Sequence, residues 1–304
     1  ALLLSCPAMI WIKWLLSVLG GLGVFLFGMR TLSDAIRRVS ATSFREFLSS
    51  ITQSTWVGTV TGMFVTGFLQ SSSAVTVTLV SLVNGGLLTI RESVGVLLGA
   101  NIGTTITAWL IVLNVGGFAL SDMALPIAGL AVPMLLLERR KPRQIGNILI
   151  GFALLFIGLS LLRSQMDSVG TSEVIKSIFP EGTGGFGYNV MFLFIGTALT
   201  FLIQSSSAAI ALTLSVLEPG LIGIESALAM VLGENIGTTL TANLAAVMGN
   251  RAAKRVSRIH LLINVFGVIW MIGLVPTMAN ILDNVFASVQ DEGARNAYSL
   301  AMFH

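Results

Sequence analysis

Gln70-Ser71-Ser72-Ser73-Ala74 interrupts one apolar stretch, and 134 positions later Gln204-Ser205-Ser206-Ser207-Ala208 interrupts another. Sliding the chain by that distance lays 66–108 over 200–242 without a gap. In the same register Gly99 and Asn101-Ile102-Gly103-Thr104-Thr105 meet Gly233 and Asn235-Ile236-Gly237-Thr238-Thr239. Two motifs coinciding at one fixed offset mark an internal repeat. A weaker echo precedes them, 21–28 against 151–158, so each copy opens with a similar apolar run. The chain reads as two copies of one plan, 1–140 and 141–304.

The polar motif cuts the apolar sequence between Trp56 and Asn84. The pieces are of about 10–13 residues, which at 1.5 Å each reach only halfway across a bilayer. The expectation is a re-entrant helical hairpin at 57–84, entering and leaving on one side with the serines at its tip, and a second at 188–217. Gly85-Gly86 and Pro219-Gly220 then turn the chain. The Asn-Ile-Gly-Thr-Thr segments fall inside the next runs, where glycine and hydroxyls predict helices locally unwound at the motif, over 92–114 and 225–248.

Of the 304 residues 54% are apolar and 10% charged, and the mean hydropathy is +0.89, so the solvent for much of the surface is lipid. Runs at 14–29, 94–115, 123–137, 145–162, 227–248 and 259–282 predict six full spans. The expected fold is an all-α integral membrane protein of two repeats, each with three spanning helices and one hairpin. Three is odd, so the second repeat enters the membrane inverted. Arg30, Arg37, Arg38, Arg45, Arg91, the cluster Arg139-Arg140-Lys141 with Arg143, and the group Arg251, Lys254, Arg255 and Arg258 then fall on one side, the cytoplasmic one. That placement accounts for the net charge of +3 without a nucleic-acid partner. The single cysteine, Cys6, excludes an internal disulfide framework, and its Leu-Leu-Ser-Cys setting only weakly resembles a lipid-attachment site.

Three serines at the start of a half-helix supply cap hydroxyls, free N–H groups and the positive end of a helix dipole, which together cradle an anion. Carbonyls freed by unwinding, with Thr hydroxyls and a Gln amide oxygen, suit sodium. Glu234 stands where the first repeat has Ala100 and is the one carboxylate beside a motif. It reads either as tuning a cation or proton site or as a water-facing residue near a span end.

At these residues the chain resembles a known family. The doubled Gln-Ser-Ser-Ser followed by Asn-Ile-Gly-Thr-Thr is similar to the type II sodium-dependent phosphate cotransporters, in their bacterial branch. Phe27-Gly28-Met29-Arg30-Thr31-Leu32-Ser33 and His260-Leu261-Leu262-Ile263-Asn264 also resemble stretches of those proteins, and the likeness covers nearly the whole chain. It implies sodium-driven symport of inorganic phosphate into the cell by alternating access, with no catalytic residue and no organic cofactor. Carried over by position, Gln70, Ser71, Ser72, Ser73, Asn101, Ser205, Ser206 and Asn235 would surround phosphate. Gln204, Ser205, Ser207, Thr238 and Thr241 would hold sodium, with Gln70, Thr104 and Thr107 as first-repeat counterparts. Two positions depart from the family pattern: Glu234 replaces a small residue, and the loop after Asn114 lacks an acidic cation ligand.

The resemblance also implies a multi-pass protein of the inner (plasma) membrane whose partners are phosphate, sodium and lipid, with a homodimer left open. Residues 296–304 read as the beginning of another apolar segment, after which relatives carry a further span and a cytoplasmic regulatory domain.

Rival readings belong to other classes. Serine clusters also serve as glue between membrane helices. An intramembrane serine hydrolase would need a general base near a tip, whereas His260 and His304 fall near span ends and no Gly-x-Ser-x-Gly elbow occurs. His260 reads as structural, and Trp11, Trp14, Trp56 and Trp270 as interface anchors. Two alternatives stay open: an anion channel, which would show flux without sodium dependence, and a symporter of another small anion.

Overall fold

The computed structural model describes residues 7–51, 54–113, 120–170 and 185–304. Cys6, the acidic segment 173–181 and most of the loop after Leu113 lie outside the described residues. Those described are helical nearly throughout, with no strand among them. The first repeat holds α1 (Pro7–Ile51), α2 (Thr55–Leu69), α3 (Ser72–Asn84), α4 (Ile90–Leu113) and α5 (Leu120–Leu136). The second holds α6 (Arg140–Gly170), α7 (Phe186–Ile203), α8 (Ser206–Leu217), α9 (Ile224–Ala246), α10 (Arg251–Met271), a 3-10 turn (Ile272–Leu274) and α11 (Val275–Val285). α12 (Glu292–Phe303) follows.

Glycines set the helix crossings, because a missing side chain lets two backbones meet. Between α1 and α6, a methyl on Gly28 would strike Leu154 and Leu155, and one on Gly158 would strike Phe25. One on Gly151 would strike Leu32, and one on Gly21 would crowd Leu161 and Leu162. Position numbers rise along α1 as they fall along α6, so the two helices run antiparallel. A second crossing occurs twice. In α2 on α4, methyls on Gly62, Gly99 and Gly103 would meet the carbonyls of Val96, Thr59 and Met63. In α7 on α9, methyls on Gly196, Gly233 and Gly237 would meet those of Met230, Leu193 and Thr197. Every residue of the second set lies 134 positions beyond its counterpart, so the sequence register is also a contact register.

The repeats then interlock. α3 packs on α9 and α10 of the second repeat, and α8 packs on α4 of the first as well as on α6. The outer surface is apolar, with Leu16, Phe27, Phe64, Leu202, Phe266 and Trp270 all more than half exposed, as side chains facing lipid are. Among the described residues five helices are long and apolar enough to cross a bilayer: Trp11–Arg38, Ile90–Val112, Arg140–Met166, Phe186–Ile203 and Arg251–Val285. The chain is an all-helical, multi-pass membrane protein.

Three expectations are corrected. The helices are not broken at Asn-Ile-Gly-Thr-Thr: α4 and α9 run unbroken through it. Gly103 and Gly237 serve the helix crossings, and the Thr104 and Thr238 hydroxyls donate to the Ala100 and Glu234 carbonyls at 3.0 and 2.9 Å, a bond that keeps a helical hydroxyl satisfied. Second, the pieces flanking the serines are not all of half length, since α7 has 18 residues against 15 in α2, 13 in α3 and 12 in α8. Third, the six spans are not six equal ones. The run at 123–137 becomes α5, of 17 residues with Pro126 and Pro133 inside it. The run at 227–248 becomes α9, whose Glu225, Glu234, Asn235 and Asn243 dilute its apolar character. α9 is wrapped by α3, α7, α8 and α10 and does not depend on lipid for burial.

Candidate functional site

Each serine motif starts with the same backbone break. Gln70 (φ 53°, ψ 31°) ends α2 and Gln204 (φ 55°, ψ 28°) ends α7 in the left-handed conformation. No other non-glycine residue among those described has a positive φ. Holding a residue that carries a Cβ there costs of order 1–2 kcal/mol, which the surrounding packing must offset. The following residue, Ser71 or Ser205, is extended and caps the next helix, its Oγ accepting from the N–H of Ala74 or Ala208 at 3.3 Å. Each cap hydroxyl keeps its own hydrogen to donate, and the N–H groups of the first turn have no helical acceptor. The Gln70 amide folds back and donates to the Gly67 carbonyl.

Both breaks open onto one cavity of about 490 Å³. Residues 70–73 and 204–207 all line it, so two helix starts and six serines converge from two repeats. Their dipoles add at the same place, favouring negative charge. A third wall, absent from the sequence-based list, is a face of α1 carrying Met29, Arg30, Ser33, Asp34 and Arg37. Its residues recur at helical spacing, which was the available signal, although charge sorting alone assigned both arginines to the cytoplasmic side. The Ser205 Oγ lies 4.0 Å from the Met29 Sδ, so α1 touches the second motif directly.

The remaining expected residues lie off the cavity wall. Asn101 is engaged on both ends of its amide: its Nδ2 donates to Asn264 Oδ1 at 3.2 Å, and its Oδ1 is 3.3 Å from His260 Nε2. Because that Oδ1 can only accept, the imidazole carries its proton on Nε2. His260 is therefore buried on α10 and bonded to another side chain. Asn264 completes the group, its Nδ2 donating to the His260 carbonyl at 2.9 Å. Asn235 and Thr241 are half-buried on α9, and Thr104, Thr107 and Thr238 are buried on α4 and α9.

Glu234 is fully buried, which removes the water-facing reading. Its Oε1 accepts from the Thr213 hydroxyl at 2.7 Å, and its Oε2 has no partner among the described residues.

Comparison with known proteins meets this geometry at the same motifs. The sequence profile of the Na+/Pi-cotransporter family matches residues 24–164 and 183–287, which hold both serine breaks, α4, α9 and the charged face of α1. The chain belongs to the Na+/Pi-cotransporter family. Within it, the chain is 31% identical over 249 residues to the "Uncharacterized protein YqeW" of Bacillus subtilis, covering 80% of this chain and 77% of that one. It is 28% identical over 273 residues to the Salmonella typhimurium "Putative inorganic phosphate export protein YjbB", covering 89% of this chain and 49% of that one. Over 101 residues, 33% of this chain and 15% of the other, it is 39% identical to the human "Sodium-dependent phosphate transport protein 2B". The chain thus spans about three quarters of the Bacillus relative's length and about half of the Salmonella one's. No solved structure matches it.

Proposed function

We propose that this protein moves inorganic phosphate across the inner membrane, coupled to sodium, by alternating access. The observation that carries the reading is the convergence of two capped helix starts on one cavity. Phosphate there would accept from the hydroxyls of Ser71, Ser72, Ser73, Ser205 and Ser206 and from the open N–H groups of both helices, with Gln70 at the edge. Asn101 and Asn235 act from behind this wall, Asn101 as part of its bonded group with His260 and Asn264.

Sodium would use oxygen lone pairs from Gln204, Ser205, Ser207, Thr238 and Thr241, with Gln70, Thr104 and Thr107 as the first-repeat set. Thr104 and Thr238 spend their hydrogens on carbonyls and so keep lone pairs for a cation. An anion and a cation bound together leave the membrane interior nearer neutrality, which is the physical basis for coupling the two.

Alternating access is supported by the reciprocity of the α1–α6 crossing. Gly28 sits on Leu155 as Gly158 sits on Phe25, and Gly21 on Leu162 as Gly151 on Leu32. A reciprocal antiparallel pairing is what a local two-fold axis across the helices produces, and inverted repeats have such an axis in the membrane plane. The serine units on either side of it then act as re-entrant hairpins reaching one site from opposite faces. By the Lys/Arg bias the end of α1 that carries Arg30 and Arg37 faces the cytoplasm.

Import follows from an inward sodium gradient. The name of the Salmonella relative favours a second reading, export, in which the same site releases phosphate outward. Phosphate uptake into proteoliposomes, with an inward sodium gradient compared with an equal potassium gradient, tests both. Accumulation above equilibrium with sodium alone supports sodium symport. Flux indifferent to the cation overturns coupling, and phosphate efflux driven independently of sodium supports the export reading.

A further inference from the structure

The serines, amides and helix dipoles of the cavity carry no formal charge, yet the anion they are proposed to hold is multiply charged. The nearest formal positive charge is on α1. Met29, Ser33 and Arg37 stand on one face of that helix together with Arg30 and Asp34, at spacings of three and four residues, and all five line the cavity. Arg30 follows directly on Met29, whose Sδ is against Ser205 Oγ, which puts it at the level of the second serine motif. Arg37 lies seven residues further, about 10 Å along the helix. Its NH1 is 4.0 Å from Asp34 Oδ1, the outer limit of an ion pair, and its Nε is buried with no hydrogen-bond partner among the described residues. A guanidinium so loosely held, with a buried donor unspent, is open to an oxyanion that accepts from two N–H groups at once.

Among the described residues the second repeat lines the cavity with no charged side chain. In the register that pairs Gly28 with Gly158, Arg30 and Asp34 correspond to Ser160 and Ser164 of α6, Arg37 to Asp167, and Ser33 to Arg163, whose guanidinium is paired with Glu218 at 2.6 Å and does not line the cavity. The charge is therefore an addition to one side of an otherwise repeated site, and needs an explanation that the repeat does not supply.

We propose that the Arg30–Asp34–Arg37 face of α1 is the charged wall of the anion site: Arg37 captures a doubly charged tetrahedral oxyanion at the mouth, and Arg30 docks it against the second serine motif. Asp34 holds the Arg37 guanidinium between these two roles and lowers the net charge, so that the anion is released again. The proposal rests on the phosphate reading above and adds to it the residues that select for anion charge.

The test uses the full chain in proteoliposomes, with inorganic phosphate as substrate and arsenate or perchlorate as competitors. Both competitors are tetrahedral, but perchlorate bears one charge. Arg30→Gln and Arg37→Gln are each expected to raise the phosphate KM about tenfold, the loss of one charge-assisted bond, with the sodium half-saturation unchanged. Both should narrow the preference for arsenate over perchlorate, and Arg37→Lys should recover part of the KM because it restores charge without the fork. Arg255→Gln, an exposed position outside the cavity, should leave all of these unchanged and so separates local binding from general surface potential. Phosphate KM and competitor preference unchanged in both arginine variants, with Ser206→Ala still defective, would overturn the charged wall while leaving the phosphate site standing. Absence of any phosphate flux in the parent protein would instead overturn the reading on which the wall rests.

Discussion

The two serine breaks share a backbone and differ in surroundings. Gln70 and Gln204 agree within a few degrees in both angles, and Ser71 and Ser205 make the same cap at the same 3.3 Å. Behind the first, α3 buries a face formed by Val75, Leu79, Val80, Leu82 and Val83. Behind the second, α8 is buried at every position except Leu212 and Val216. Ala100 beside the first motif is matched by Glu234 beside the second, and Asn101 is bonded at both ends of its amide whereas no hydrogen bond joins the Asn235 side chain among the described residues. Backbone shape therefore belongs to the motif, while the neighbours decide what each copy can do with it. An asymmetric site made from symmetric turns can treat an anion and a cation differently.

The sharpest test of the shared part is at the crossings. Gly99→Val and Gly233→Val each push a side chain into a carbonyl of the paired helix, so both should lose folded, monodisperse protein, a cost of about 3 kcal/mol or more. Gly20→Ala, where nothing lies within 4 Å, is the control and should unfold at or slightly above the parent temperature. Thermal unfolding in detergent reads all three. If Gly233→Val were tolerated while Gly99→Val was not, the crossings would not be equivalent.

Next in size is the serine wall. Ser72→Ala and Ser206→Ala each remove one hydroxyl donor at a helix start, and each should weaken phosphate transport by roughly 10- to 100-fold, the equivalent of ~1–3 kcal/mol. Expression and unfolding temperature should stay near the parent's, since neither residue is the cap itself. A large defect in one and none in the other would show that phosphate binds to a single repeat.

Glu234→Gln isolates the carboxyl that distinguishes the second repeat. The Gln amide oxygen can still accept from Thr213, so the fold should survive while the ionisable carboxyl is lost. The sodium half-saturation is expected to weaken about tenfold with phosphate KM little changed. An unaltered sodium dependence would leave Glu234 with a packing role and return the two repeats to parity.

The features legible in the sequence are those written locally or repeated. A turn of Gln and serines, a glycine at each close crossing and a 134-residue offset are visible because the same contacts in two copies demand the same small or polar residues. The unbroken course of α4 and α9 was missed because glycine and threonine fit unwinding and tight packing equally well, and only a partner helix decides between them. The α1 wall was missed because Arg30 and Arg37 satisfy a membrane-side charge rule whether or not they also face a cavity. The place of α9 was misread for a related reason: a helix surrounded by protein needs less apolar surface than one in lipid.

The least legible feature gives the smallest expected effect. Asn101 lies 159 residues from His260 and 163 from Asn264, and nothing local to it announces either. The group ties α4 of the first repeat to α10 of the second, a joint that must persist or part together if the repeats move against each other. Asn101→Ala and His260→Ala should each destabilise modestly, and the double variant should cost less than their sum, by about 1 kcal/mol. The comparison is sharpened by Asn235→Ala, which removes no such bond and should cost less than Asn101→Ala in the same unfolding assay. Full additivity between Asn101 and His260 would mean that the two side chains are neighbours without being coupled. The extra fixation of the first repeat would then have to come from elsewhere, such as the exposed link in which the Asn250 N–H and Nδ2 donate to Asn84 Oδ1 and the Asn84 carbonyl at 2.8 and 3.0 Å.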